Sequence, residues 1–178
     1  LEKIYIYYPA FEKGGATKIL IKIVNFFLEK NYKINLFSFK AKKNNFIKSK
    51  NLKIIKIKKI NKLKFLPIRW NLAISSMISL YNYSTSKNNN FIIFSMQSHI
   101  LAVLISIILK KKIIIRNSEE ILGATKFAEK KLLAFIILIL KIIIYNFADN
   151  IIAISKRSKD LINKIISKNK KVSLIYNP

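Results

Sequence analysis

The sequence predicts an α/β domain, a parallel sheet with helices on both faces. Two observations predict it. Short apolar runs rich in β-branched residues recur along the 178-residue chain, as expected for strands buried on both faces. Longer stretches with helical periodicity lie between them, and strand–helix alternation calls for crossovers and parallel pairing. The length suits one ordinary domain with a real core.

The strand candidates are "KIYIYY" (3–8), "KINLFSF" (33–39), "LKIIKI" (52–57), "FIIFS" (91–95), "KIIIR" (112–116), "NIIAIS" (150–155) and "VSLIY" (172–176). The first helix is expected at 16–30. Lys18, Lys22, Asn25 and Glu29 form one polar stripe on an otherwise apolar cylinder. Further helices are expected at 68–87, 98–109, 124–147 and 156–168, with Asp149 and Asn150 breaking the chain before the sixth strand. "LLAFIILILKIIIY" (132–145) is the most apolar run. It is shorter than the ~20 residues that span a bilayer, and Lys141 interrupts it, so a buried or membrane-skimming helix is expected. The chain opens on Leu almost directly into a strand and stops at "LIYNP", which suggests a fragment cut near a domain boundary.

The formal net charge is +26. Heavy use of Ile, Lys and Asn fits an AT-rich genome, which accounts for part of the excess. The rest creates a positive field that favours anionic membranes, nucleic acid or phosphorylated substrates. The stretch 40–64 concentrates it, with eleven Lys and no acid. It reads either as a solvated face or as a partner-facing surface. With no Cys and one His, disulfides, thiolate metal sites and structural zinc are excluded.

Ligands of parallel α/β sheets bind beyond the carboxyl ends of the strands, so the loops at 9–16, 95–99, 116–124 and 155–157 matter most. In "PAFEKGGATK", Gly14 and Gly15 stand between a strand and a helix. They read either as a tight turn with positive φ or as a place where backbone N–H groups approach an anion at a helix amino end. The G-x-G-x-x-G and G-x-x-x-x-G-K-[ST] fingerprints are absent. In "IIIRNSEEILG", Arg116 is suited to a phosphate or carboxylate and Glu119 to sugar hydroxyls, while Ser118 is suited to capping a following turn. His99 in "SMQSHILAVL" is more often a capping or packing residue than a catalyst. No paired-carboxylate, Ser-His-Asp or metal-ligand constellation can be assembled from the sequence.

The order of these motifs resembles the N-terminal domain of family 4 glycosyltransferases, retaining nucleotide-sugar enzymes of GT-B fold. "FEKGGATKILIKIVNFFLEKNYKINLFSF" resembles the family's Gly-Gly loop, first helix and second strand. "NFIIFSMQSHILAVLIS" resembles its central strand and helix, "KKIIIRNSEE" its Arg-Asn-type loop, and "FADNIIAISKRSKDLINK…VSLIYNP" its last strand, helix and hinge-leading Asn-Pro. The resemblance covers essentially the whole chain and implies one half of a GT-B fold with a Rossmann-like sheet. Residues 1–178 would be the acceptor-side half, and a C-terminal donor-binding domain would be absent. It implies that Gly14 and Gly15 lie near the donor diphosphate. It also implies that Ser95, His99, Arg116, Asn117, Glu119, Ser155 and Lys156 line the acceptor side of the cleft. Some members place a His where this chain has Asn117. The partners implied are a nucleotide sugar, a glycan or lipid-linked acceptor, an anionic membrane surface and the missing domain. No metal or other cofactor is expected. The localisation implied is cytoplasmic, peripheral on the inner face of the membrane, in polysaccharide biosynthesis. The chain alone is expected to transfer no sugar.

Two other readings compete. A basic α/β module for nucleic acid lacks any recognised motif. An NAD-type Rossmann domain lacks the glycine spacing, and Phe39-Lys40 follows the second strand where an acid would stand.

Overall fold

All seven apolar runs become strands of one sheet. The structure is a computed structural model that describes residues 3–86, 90–118, 131–167 and 171–177. The strands are β1 (Lys3–Ala10), β2 (Lys33–Phe39), β3 (Leu52–Lys56), β4 (Phe91–Ser95), β5 (Ile113–Asn117), β6 (Asn150–Ala153) and β7 (Lys171–Leu174). Their order across the sheet is β3-β2-β1-β4-β5-β6-β7, and every pairing is parallel. The order reverses between β1 and β4, which opens a crevice between neighbouring loops at the carboxyl edge. The described helices are α1 (Gly15–Glu29), α2 (Ile68–Thr85), α3 (His99–Leu109), α4 (Lys131–Tyr145) and α5 (Lys156–Ile165). Residues 124–130 of the fourth expected helix lie outside the described residues.

The period-two side-chain alternation of each strand splits the core into two. Tyr5, Tyr7, Ile93, Ile113, Ile115 and Ile151 pack with Leu80 of α2, Val103 of α3, Tyr145 of α4 and Ile162 of α5. On the other face, Ile4, Ile6, Ile34, Leu36 and Phe94 pack with Leu20, Val24 and Leu28 of α1. The latter three recur every four residues, and the expected stripe of Lys18, Lys22, Asn25 and Glu29 lies away from them. Tyr7 also donates its hydroxyl hydrogen bond to the Ala73 carbonyl of α2 (2.6 Å). Burial raises its pKa above the usual phenol range, so it stays a donor.

Most boundaries move by a few residues, and two of the shifts have a visible cause. β1 runs through Pro9 to Ala10, and its register with β2 slips between Tyr7 and Ala10. Pro9 has no N–H to give the ladder, and an extra residue on one strand accommodates it. β6 ends at Ala153, because Ser155 begins the next helix.

The Lys-rich stretch 40–64 forms two short 3-10 turns, Lys43–Asn45 and Asn61–Leu63, around β3. β3 is an edge strand, and lysines there discourage pairing with another chain. Asn71 of α2 holds the second turn. Its amide donates to the carbonyls of Ile60 (2.9 Å) and Leu63 (3.0 Å), and its oxygen accepts from the Ile60 N–H (3.0 Å) and the Ser75 hydroxyl (3.2 Å).

Candidate functional site at the carboxyl edge of the sheet

The loop from β1 to α1 is pinned at both ends. The Ala10 N–H donates to Gln97 Oε1 of the loop after β4 (3.0 Å). Thr17 donates its hydroxyl to the Glu12 carbonyl (2.5 Å) and shares a hydrogen bond with the Tyr8 hydroxyl (2.9 Å). Glu12 also meets Arg69 of α2 in an exposed ion pair at 3.2 Å. The two loops flanking the crevice are thus tied together.

Gly14 and Gly15 sit in this pinned loop, and the positive-φ turn does not occur. Gly14 has φ 163°, an extended conformation open to any residue, and neither glycine is left-handed. A Cβ added at either would meet, beyond its chain neighbours and the helix backbone, no atom of a described residue within 4 Å. The chain's own packing therefore does not require glycine here. What glycine provides is clear space in front of the amino end of α1. That end has no side-chain cap and no acid in its first turn, so its first N–H groups remain available to an anion.

Ser95 ends β4 fully buried. Its hydroxyl donates to the Gln97 carbonyl (3.2 Å) and lies 2.8 Å from His99 Nδ1. A hydroxyl has one proton to give: with it on the Gln97 carbonyl, His99 carries its proton on Nδ1, and with it on Nδ1, the His99 proton sits on Nε2. Burial, then the positive charges of Lys141 and Arg116, push the His99 imidazole down to about 3. It is therefore a neutral ring near neutral pH. Its edge meets the Tyr145 ring of α4, with centroids 6.1 Å apart. Between Ser95 and His99, Ser98 takes a left-handed conformation (φ 50°) and leaves α3 without a side-chain cap. Strained loop residues of this kind gather where a ligand is held.

Arg116 and Asn117 end β5 and point to opposite faces. Arg116 is only 4% exposed, on the α1 side of the sheet. Its guanidinium donates to Asn177 Oδ1 after β7, and it meets no carboxylate among the described residues. Burial lowers its pKa, the mark of a charge that has lost water. Asn117 is 1% exposed on the other side. It accepts from the Tyr145 hydroxyl (3.1 Å) and reaches Ser158 Oγ at 3.4 Å. Its side chain binds α4 to α5 and presents no surface to solvent. Glu119 lies outside the described residues.

Ser155 is the amino cap of α5, accepting from the Ser158 N–H (3.1 Å). Lys156 follows it, exposed, with Arg157 beside it. Cations at a helix amino end oppose the helix dipole, and this helix has no acid in its first turn. The arrangement costs stability and gains anion affinity.

The expected residues thus fall on one edge, at the ends of β1, β4, β5 and β6, which are neighbours in the sheet. Sequence reasoning missed Gln97, Asn177, Tyr145 and Lys141. Gln97 carried a signal, a polar residue in the only gap between β4 and α3. The others reach the site from distant positions that no local pattern marks.

No family model matches the chain, and no curated protein matches it significantly. Solved structures do. Sucrose-phosphate synthase from Thermosynechococcus elongatus superposes with a TM-score of 0.73 at 12% identity, over 99% of this chain and 48% of that one. The chain has the fold of one half of a GT-B glycosyltransferase. The same half-fold is found in Anabaena HepE in complex with UDP and glucose, with a TM-score of 0.62 at 15% identity, over 99% of this chain and 44% of that one. It recurs in a UGT transferase from Siraitia grosvenorii in complex with UDP, with a TM-score of 0.60 at 9% identity, over 98% and 50%. The chain spans about half the length of the structures it matches.

Proposed function

We propose that the chain is the N-terminal, acceptor-side half of a retaining glycosyltransferase. The enzyme transfers a sugar from a nucleotide-sugar donor to a lipid-linked or cell-surface glycan. One observation carries the reading. The uncapped amino end of α1, cleared by Gly14 and Gly15, stands at the carboxyl edge of a half-fold otherwise seen in glycosyltransferases with UDP bound. In this reading the α1 N–H groups meet the donor diphosphate. Arg116 and the basic start of α5 supply further positive charge along the same edge. Neutral His99 offers Nε2 as a hydrogen-bond partner for a sugar hydroxyl. A second α/β domain grips the nucleotide. Nothing in the comparisons supports the nucleic-acid alternative.

A peripheral membrane location belongs to the same reading. Leu132, Phe135, Ile136, Ile139, Leu140 and Ile143 are all exposed on α4, and α3 beside it exposes Ile107 and Ile108. Apolar faces of this kind mark a partner or a lipid surface, and abundant lysine favours an anionic one.

The test is Gly15→Val in the enzyme that carries this domain. The new side chain meets open space, so the melting temperature should stay within about 2 °C. Transfer should fall by about tenfold or more, because the methyl groups occupy the diphosphate's place. Unchanged transfer and donor affinity would remove the phosphate-side role.

A further inference from the structure

Lys3 and Lys33 stand directly opposite each other on β1 and β2. Like charges facing each other across a sheet repel. Lys53 joins them on β3, opposite Asn35, and Lys50 comes from the loop before it. The four lysines line one concave cavity of about 240 Å³. It lies at the amino ends of β1, β2 and β3, on the edge of the sheet opposite Gly14 and Gly15. No carboxylate lines it among the described residues. The side-chain amides of Asn35 and Asn51 form part of its wall, and neither has a hydrogen-bond partner among the described residues. The rings of Tyr5 and Tyr83 meet edge-on at 5.8 Å to close the inner side, with Lys53 Nζ 5.1 Å from the Tyr83 centroid.

We propose that this cavity binds a phosphate-bearing ligand, at a site separate from the carboxyl edge. Four lysines lining one hollow are poorly matched by a single carboxylate, which offsets one charge. A phosphate monoester or diphosphate offsets two or more, and lysines serve it as point charges. The amides of Asn35 and Asn51 supply directional donors for the remaining oxygens. A hollow, unlike a long basic stripe, selects a terminal phosphate over a polymer backbone. The same chemistry belongs to a soluble phosphate compound and to a phosphomonoester lipid headgroup.

The probe is inorganic pyrophosphate, titrated calorimetrically into the full chain. Two double variants remove equal charge: Lys33→Gln with Lys53→Gln in the cavity, and Lys42→Gln with Lys43→Gln outside it on exposed positions. The cavity variant should bind about tenfold more weakly, and the control should stay within about twofold. Without ligand, Lys33→Gln should raise the melting temperature at low salt and not at high salt, because it relieves the cross-strand repulsion. Equal loss in both double variants, or no saturable binding to the wild type, would overturn the site. Co-sedimentation with phosphatidylcholine vesicles carrying phosphatidic acid separates the sources. Vesicle binding that depends on the cavity lysines assigns a lipid headgroup. Vesicle binding indifferent to them, beside cavity-dependent pyrophosphate binding, assigns a soluble ligand.

Discussion

On the proposed reading, Arg116 sets stability against function in one side chain. A buried guanidinium with a single amide partner among the described residues is a net cost, and an apolar replacement of similar length relieves it. Arg116→Met should therefore raise stability by about 1–2 kcal/mol, a gain of a few degrees in melting temperature, and should abolish transfer. Arg116→Lys keeps the charge without the planar fork and should lower transfer by about tenfold. Higher melting temperature with normal transfer in Arg116→Met would mark the residue as dispensable. His99 makes a prediction about pH. Its imidazole is held at about 3 when folded against an ordinary 6.5, so below that ordinary value the unfolded chain binds a proton the folded one refuses. Stability is full above about pH 6.5 and falls as the pH drops toward 3. Melting curves of His99→Asn should be flatter across this window than those of the wild type. At this scale the sequence was legible where a residue acts locally, as Ser155 does at its helix start. It was opaque where two residues distant in sequence meet, as Arg116 and Asn177 do. At the Gly pair it left a positive-φ turn and an anion approach both open, and the backbone excludes the turn.

Elements were far more legible than contacts. Every strand run and helical period has its counterpart, because the periods of two and 3.6 are properties of local sequence. The ends were less so. Pro9 looked like a strand terminator, yet β1 absorbs it through a register slip that only the neighbouring strand reveals. Asn71 was invisible for a related reason. Three of its four hydrogen bonds join α2 to a turn eight to eleven residues upstream. Asn71→Ala leaves two carbonyls and an N–H to find water, at a cost of about 1–3 kcal/mol. The melting temperature should fall by roughly 5 °C. A loss confined to the 40–64 segment, seen as faster amide exchange there with α1 unchanged, would identify the bond set as a local latch.

For the molecule as a whole, alternation of strands and helices announced the fold class, but not the order in which the strands lie. The membrane reading belongs to this scale. No described helix is long and apolar enough to cross a bilayer. Ile136→Asp with Ile139→Asp should reduce co-sedimentation with anionic vesicles by about tenfold, and the part of binding that survives high salt should vanish. Binding that is wholly salt-sensitive, or displaced by RNA, would point to a nucleic-acid surface. The position of β1 has a consequence for how the chain is made. It is the innermost strand of the first three, paired to β2 with Lys3 opposite Lys33, and its other side waits for β4, where Lys3 meets Phe91. During synthesis, β1 to β3 can assemble early while β1 still shows an open hydrogen-bonding edge. The 34 residues between Lys56 and Phe91, and then β4 itself, must emerge before that edge is closed, at a few to about twenty residues per second. For those seconds the future centre of the sheet is its exposed flank, apolar on both faces and able to pair with another nascent copy. The hydrogen bonds that knit β1 to β4 thus form only after that edge has stood open.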